Sequence, residues 1–364
     1  MSCPHVPELK YSAFGQRLLE KAQSQRQLLW ASLELTFRCN MRCQHCYIQC
    51  DEGSWVDDPE LKTDGWRSII DQLADAGVLW LLLTGGEPLL RPDFDEIFMY
   101  AKRKGMLITL FTNGTLVTEE IADLLAAYPP FAVEVSLYGR TAEVYEQITT
   151  VPGSYERCME GIARLAARPI LLRLKSPLMT LNQHEIPDLR AYAESLEVPF
   201  RHDPLLNAGM TGGVQPTLLR LSPEEVVAWQ MADVESRESW CASYERRAGA
   251  QFDPEQLYVC GAGLRSVHID PAGRLSICMM VREPSYNLGQ GSLADAWDRF
   301  VPKVRQGHMR HDSACYACKL RMTCESCPAY AIMETGDPCG AVPYLCKVAH
   351  HRAAAMERMA QSAV

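Results

Sequence analysis

The stretch CNMRCQHC places Cys39, Cys43 and Cys46 in one short segment with the spacing C-x-x-x-C-x-x-C. Three thiolates in one loop can hold three irons of a four-iron cluster and leave the fourth iron open for chemistry. Zinc would instead recruit a fourth Cys or His to close a structural site; Cys50 or His45 could serve, so this spacing alone leaves zinc open. Farther on, the apolar run from Val78 to Leu83 ends in Thr84-Gly85-Gly86-Glu87-Pro88. Two glycines at a strand end let backbone approach a ligand closely, and Glu87 offers a carboxylate beside them.

A second cysteine set lies near the C-terminus. Cys260 precedes an expected hairpin: Ser266 to Ile269, the turn Asp270-Pro271-Ala272-Gly273, then Arg274 to Met279 with Cys278 in its second strand. Gly273 and Cys278 form G-x-x-x-x-C. Next come Cys315, Cys318, Cys324 and Cys327, then Cys339 and Cys346. Alone, such a run reads as a structural zinc ribbon. Cys158 shares an apolar helix face with Tyr155, Ile162 and Leu165, which makes it a core residue. Cys3, Cys50 and Cys241 have no partner at ligand spacing.

The cysteine loop followed by Gly-Gly-Glu-Pro resembles the radical S-adenosylmethionine superfamily. The resemblance implies a [4Fe-4S] cluster on Cys39, Cys43 and Cys46, with its open iron chelating the amino and carboxyl groups of S-adenosylmethionine. It further implies that Gly85, Gly86 and Glu87 contact the methionine end, and that Ser136, in SLYG, touches the ribose. His45 stands where the family usually has an apolar aromatic residue; its flat ring can still lie against adenine. The C-terminal set is similar to the SPASM extension of that superfamily, which implies two auxiliary [4Fe-4S] clusters. By that pattern Cys315, Cys318, Cys324 and Cys346 close one cluster and Cys260, Cys278 and Cys327 hold another. Cys324 and Cys327 are separated by two residues where the family commonly has three, and Cys339 is a candidate ligand that would close the second cluster.

These residues need a scaffold that brings strand ends together. From Leu33 to Phe37 onward, strands at Leu107 to Phe111, Ala132 to Leu137, Ile170 to Lys175 and Val198 to His202 alternate with helices near 118–127, 154–167 and 184–195. A helix capped by Thr63 and stopped by Gly77 buries Trp66, Ile69, Ile70 and Leu73, and the next carries Asp95 and Glu96 early and Lys102 and Arg103 late, matching the helix dipole. Val78 to Leu83 shows no alternation, as suits a parallel strand buried on both faces. Six strand–helix repeats imply an α/β fold with a parallel sheet and right-handed crossovers. The resemblance implies a partial (β/α)6 TIM-like barrel over 31–205 and a smaller C-terminal cysteine-rich α+β domain over 256–350. A helical segment is expected at 1–30, from Gln16 to Trp30 with Leu18, Leu19, Leu28 and Leu29. A helical linker follows at 206–255, with a Ser222-Pro223-Glu224-Glu225 capping box, and a C-terminal helix at 351–364. Barrel chemistry gathers at carboxyl ends of strands, which adds Arg173, Lys175, His202 and Asp203 as residues able to meet substrate carboxylates or relay protons.

The chain has 364 residues, 47% hydrophobic and 22% charged, with a net charge of −9. An acidic balance argues against a general nucleic-acid binder, which needs a basic face. No export signal and no long apolar run is present, so neither secretion nor a membrane span is indicated and the cytoplasm is the expected compartment. With 15 cysteines and no export signal, metal binding is preferred over disulfides. The resemblance implies transfer of an electron, from a donor such as flavodoxin or ferredoxin, to the bound sulfonium, giving a 5′-deoxyadenosyl radical that abstracts hydrogen from an unactivated carbon. SPASM enzymes mostly modify peptides, so the expected function is maturation of a ribosomal peptide by thioether or carbon–carbon linkage or residue oxidation. About 30 residues precede the first strand, too few for a fused leader-binding domain, so a separate leader-binding partner is expected. Oxidation or rearrangement of a small metabolite is the alternative. A non-catalytic iron–sulfur carrier would have no use for Gly85 to Pro88.

Overall fold

The computed structural model describes residues 15, 17, 21, 25–48, 59–248 and 253–362. Its sheet has nine strands in the order β6-β5-β4-β3-β2-β1-β7-β8-β9. β1 (Trp30–Glu34), β2 (Trp80–Thr84), β3 (Leu107–Thr112), β4 (Ala132–Ser136), β5 (Leu172–Pro177) and β6 (Phe200–Asp203) pair in parallel, each with its sequence neighbour. Helices connect them, giving the expected partial barrel. β2 is buried along its whole length, which its unbroken apolar run requires of a strand covered on both faces. β7 (Ser266–Ile269) pairs in parallel with β1, while β8 (Arg274–Ser276) and β9 (Tyr286–Asn287) continue antiparallel. The sheet therefore runs unbroken from the barrel into the cysteine-rich region.

Several elements differ from expectation. The first strand is Trp30–Glu34, not Leu33 to Phe37, because β2 and β7 clamp it on both sides from Trp30 onward. Leu35 to Phe37 are thereby released to start the cysteine loop. Leu28 and Leu29, expected in a helix, are buried and lead into β1; the Leu29 amide donates to the Arg265 carbonyl at 2.9 Å, and the Leu29 carbonyl accepts from Leu79 at 3.0 Å. Most of the rest of that expected helix, with Cys3 and Cys50, lies outside the described residues. Thr63 opens the helix Thr63–Asp75 as its first residue, not its cap; its hydroxyl donates to Asp93 Oδ2 at 2.7 Å. That helix buries Trp66, Ile69, Ile70 and Leu73 as the spacing requires.

One helix escapes the sequence pattern, and another, within the expected helical linker, carries no apolar stripe. Ala142–Thr149 is short, capped by the Thr141 hydroxyl, and buries Val144, Tyr145 and Ile148. Val234–Ala248 has a polar sequence; Trp240 lies beneath the Arg352 guanidinium at 3.6 Å, and Cys241 meets Met356 sulfur to sulfur at 3.6 Å. Tertiary contacts, rather than an apolar stripe, hold it. The Ser222 capping box forms on the helix Pro223–Ala232, and a helix Pro343–Ser362 follows the last cysteines. Among the described residues no helix is long and apolar enough to cross a membrane.

Candidate active site

The cysteine loop is sewn to the end of β2. Leu35 donates to the Thr84 carbonyl at 2.9 Å, Gly86 to Thr36 at 2.8 Å and Glu87 to Arg38 at 2.9 Å. Backbone this close leaves no room for side chains: a Cβ on Gly85 would lie 2.5 Å from the Thr36 oxygen, and one on Gly86 2.4 Å from the Arg38 oxygen. Gly85 also holds φ at +147°, open to glycine alone. The two glycines thus admit the cysteine loop itself. Buried Arg91 reinforces the join by donating to the Leu35 and Leu61 carbonyls, each at 3.0 Å. Farther along the loop, Arg42 donates to Thr149 at 3.1 Å and Gln44 to Ile148 at 2.9 Å, tying it to the end of the helix Ala142–Thr149.

Cys39, Cys43 and Cys46 all face one cleft of about 720 Å³, which His45, Gly85, Gly86 and Ser136 also line. Burial pushes the Cys39 thiol up to about 11, and burial with its two cysteine neighbours pushes Cys43 higher still. Thiols so desolvated become thiolates when a cation compensates them, as iron does. Among the described residues no three His, Cys, Asp or Glu side chains gather closely enough for a single metal ion. Three thiols lining one cavity can each hold one iron of a four-iron cluster and leave its fourth iron open. Asn113 aims its amide nitrogen at the Cys39 sulfur, 3.9 Å away, held by a bond from that nitrogen to Asn40 Oδ1 at 2.9 Å.

Glu87 does not present its carboxylate to the cleft. Fully buried, it accepts from Leu89 N at 3.1 Å, Thr112 Oγ1 at 2.8 Å and Asn113 N at 2.7 Å. Its carboxylate is a strut between the ends of β2 and β3, and burial pushes it up to about 7 against those hydrogen bonds. Glu87→Gln puts an amide among three donors, one of them the Asn113 amide, and is expected to destabilise the fold by about 1–3 kcal/mol. Denaturant unfolding measures it; an unchanged midpoint would show the strut to be dispensable. His45 packs edge-on to Tyr138, ring centres 4.7 Å apart, and burial keeps its imidazole down at about 4. Its Nδ1 is buried with no hydrogen-bond partner among the described residues.

Of the other strand-end candidates, Lys175 and Asp203 line the cleft, whereas His202 packs against Trp229 on the helical side, ring centres 5.9 Å apart. Arg173 does not line it, and its guanidinium stands 3.5 Å from the Glu134 carboxylate. Arg201 and Tyr47 line the cleft too and were not singled out from sequence; the period-two alternation along β6, with Asp203 inward, is the signal that points to Arg201.

A second cavity of about 730 Å³ is lined by Cys260, Cys315, Cys318, Cys324, Cys327 and Cys346. Burial raises Cys324 to about 11, helped by the charges of Cys346, Cys318 and Cys315. Cys327 is likewise raised to about 11, helped by Cys260 and Cys278. Cys278 lies beyond β8, not within it, where a backbone bridge to Val281 turns the chain. Cys339 is buried, with its thiol 3.6 Å from the His308 carbonyl; its charge bears on Cys315 and is not among the main influences on Cys278 or Cys327. Cys158 is fully buried in the core.

The radical SAM superfamily matches residues 33–190, the segment carrying the cysteine loop, the glycine pair and Ser136. The chain is a radical SAM enzyme. This radical SAM enzyme is similar to the AdoMet-dependent heme synthase of Methanosarcina barkeri (strain Fusaro / DSM 804), 26% identical over 347 residues that cover 90% of this chain and 98% of that protein. Mycofactocin maturase MftC of Mycobacterium ulcerans (strain Agy99) is 29% identical over 315 residues, 84% of each chain. Among solved structures, Streptococcus suis SuiB bound to precursor peptide SuiA superposes with a TM-score of 0.69 at 18% identity, covering 95% of this chain and 84% of that one. That likeness establishes the fold, from barrel into cysteine-rich region.

Proposed function

We propose that this radical SAM enzyme abstracts hydrogen from a peptide side chain during maturation of a ribosomally made peptide, forming a thioether or carbon–carbon link or oxidising a residue. The observation that carries this reading is the pairing of a wide cleft holding the three-cysteine loop with a second cavity lined by six further cysteines; similarity to the maturase MftC over 84% of the chain supports it. With a four-iron cluster and S-adenosylmethionine bound at Cys39, Cys43 and Cys46, the cofactors supply a carbon radical able to abstract hydrogen. The chain's part is to orient and exclude water. Gly85 and Gly86 bring backbone to the methionine end and Ser136 meets the ribose. His45, which lines the cleft, offers the flat face of its ring to adenine. A flavodoxin- or ferredoxin-type donor supplies the electron.

The C-terminal thiols divide between two auxiliary clusters, Cys315, Cys318, Cys324 and Cys346 on one, Cys260, Cys278 and Cys327 on the other. Cys339 belongs to neither, since its thiol is spent on the His308 carbonyl. Cys339→Ala is therefore expected to keep the full iron content and unchanged paramagnetic resonance of every cluster. Loss of a cluster's signal in that variant would place Cys339 among the ligands.

The test uses the anaerobically reconstituted, reduced protein with S-adenosylmethionine, offered in parallel a short peptide encoded beside its gene and iron coproporphyrin III. Loss of hydrogens from the peptide, with formation of 5′-deoxyadenosine, is expected. A second reading, a step in heme synthesis, is favoured by the similarity to the AdoMet-dependent heme synthase over 98% of that protein. The porphyrin offered is the one in the name of the Fe-coproporphyrin III synthase of Methanosarcina barkeri (strain Fusaro / DSM 804), 33% identical over 163 residues, 45% of this chain and 39% of that protein. Turnover of the porphyrin without turnover of the peptide would replace the first reading with the second.

A further inference from the structure

The inward face of β4, β5 and β6 carries a layer of charge that the radical chemistry leaves unused. Buried Glu134 accepts from Arg201 Nη2 at 2.8 Å, with Arg173 Nη1 at 3.5 Å and Lys175 Nζ at 3.9 Å from the same carboxylate. Two guanidinium groups and a lysine share one anion there, in a chain whose net charge is −9. Burial, with the nearby Arg201 charge, holds the Lys175 pKa well below the ordinary lysine value, so a second anion beside it is what would restore its charge. Asp203, next inward on β6, does not restore the balance: it accepts from Leu205 N at 2.9 Å, and its charge bears on Tyr330 and Glu325, away from Glu134.

Two of these side chains open onto the cleft. Lys175 stands across from Ser136 in the β4–β5 register, and both it and Arg201 line the cleft with Cys39 and Gly85. The Lys175 Nζ is too far from Glu134 for a hydrogen bond and lies over the Phe111 ring. Arg201 spends one of its five N–H donors on Glu134, and its side chain is 59% exposed. Glu134 holds the guanidinium in place without neutralising the layer, so the outer edge of the fork stays available. A planar, fixed guanidinium with an ammonium beside it matches a carboxylate.

We propose that Lys175 and Arg201 bind a carboxylate of the substrate and so place the neighbouring carbon for hydrogen abstraction. On the peptide reading, on which only this identity rests, the carboxylate is an Asp or Glu side chain near the modified residue. A porphyrin propionate has the same chemistry, and the test separates the two sources.

The experiment is equilibrium binding of fluorescent hexaglutamate and hexalysine to the full-length reconstituted protein saturated with S-adenosylmethionine. Iron coproporphyrin III serves as a parallel probe, and S-adenosylmethionine is compared with 5′-methylthioadenosine, which lacks the methionine carboxylate. Hexaglutamate is expected to bind where hexalysine does not. Lys175→Met and Arg201→Met should each weaken it about tenfold, the scale of one charge-assisted hydrogen bond, and Arg201→Lys, which keeps the charge but loses the planar fork, should fall between wild type and Arg201→Met while confirming that the fold survives. Hexaglutamate affinity equal in wild type and both Met variants would overturn the proposal. So would Met variants that lose affinity for S-adenosylmethionine and none for 5′-methylthioadenosine, because the cations would then read the cofactor's own carboxylate. Cation-dependent binding of the porphyrin with none of hexaglutamate would keep the carboxylate site and reject the peptide reading.

Discussion

Replacing Cys39, Cys43 and Cys46 together by alanine is expected to abolish cleavage of S-adenosylmethionine and to remove about a third of the iron, roughly four of the twelve atoms that three four-iron clusters would hold. All three thiols face the same cleft, and they come from one loop anchored independently of the C-terminal cavity. The loss should therefore be confined to one cluster, with the paramagnetic signals of the others intact. Iron and sulfide analysis, with chromatography of 5′-deoxyadenosine, reads the result. Tightly bound zinc with little sulfide in the wild-type protein would overturn the cluster assignment outright.

Gly86→Ala is expected to do comparable damage without touching a ligand. Its new Cβ would lie 2.4 Å from the Arg38 oxygen and 2.6 Å from that of Phe37, both backbone atoms of the cysteine loop. Neither carbonyl can yield alone, because Gly86 and Glu87 hydrogen-bond to this same segment. The loop must move outward, carrying Cys39 with it. Overpacking of this kind costs about 1–3 kcal/mol, and the lost backbone bonds add to it, so about 2–4 kcal/mol is expected. Denaturant unfolding of the iron-free protein should show that loss, and the reconstituted variant should fail to hold the cluster of the three-cysteine loop. A variant with wild-type stability and full iron would mean that the glycines serve the ligand alone.

Local chemistry is what the sequence by itself determined. The three-cysteine spacing, the glycine pair after an apolar strand, the Ser222 capping box and the strand–helix alternation are all settled within a few residues, where side-chain type and backbone preference suffice. The division of the C-terminal thiols into two sets rests on a family pattern; the structure gathers six of them around one cavity. Where Glu87 points was not legible: the strand end that offers its carboxylate to a ligand also offers it to Asn113, and only the β2–β3 pairing decides between them. The hairpin pattern around Asp270 to Gly273 predicts Cys278 within the second strand, yet the chain turns there after only three strand residues. Arg201 was overlooked because nothing near it in sequence announces Glu134, its partner 67 positions away. Such contacts depend on which strands become neighbours and in what register. Alternation assigns side chains to two faces, but only the assembled sheet decides which face becomes the cleft and which charges meet inside it.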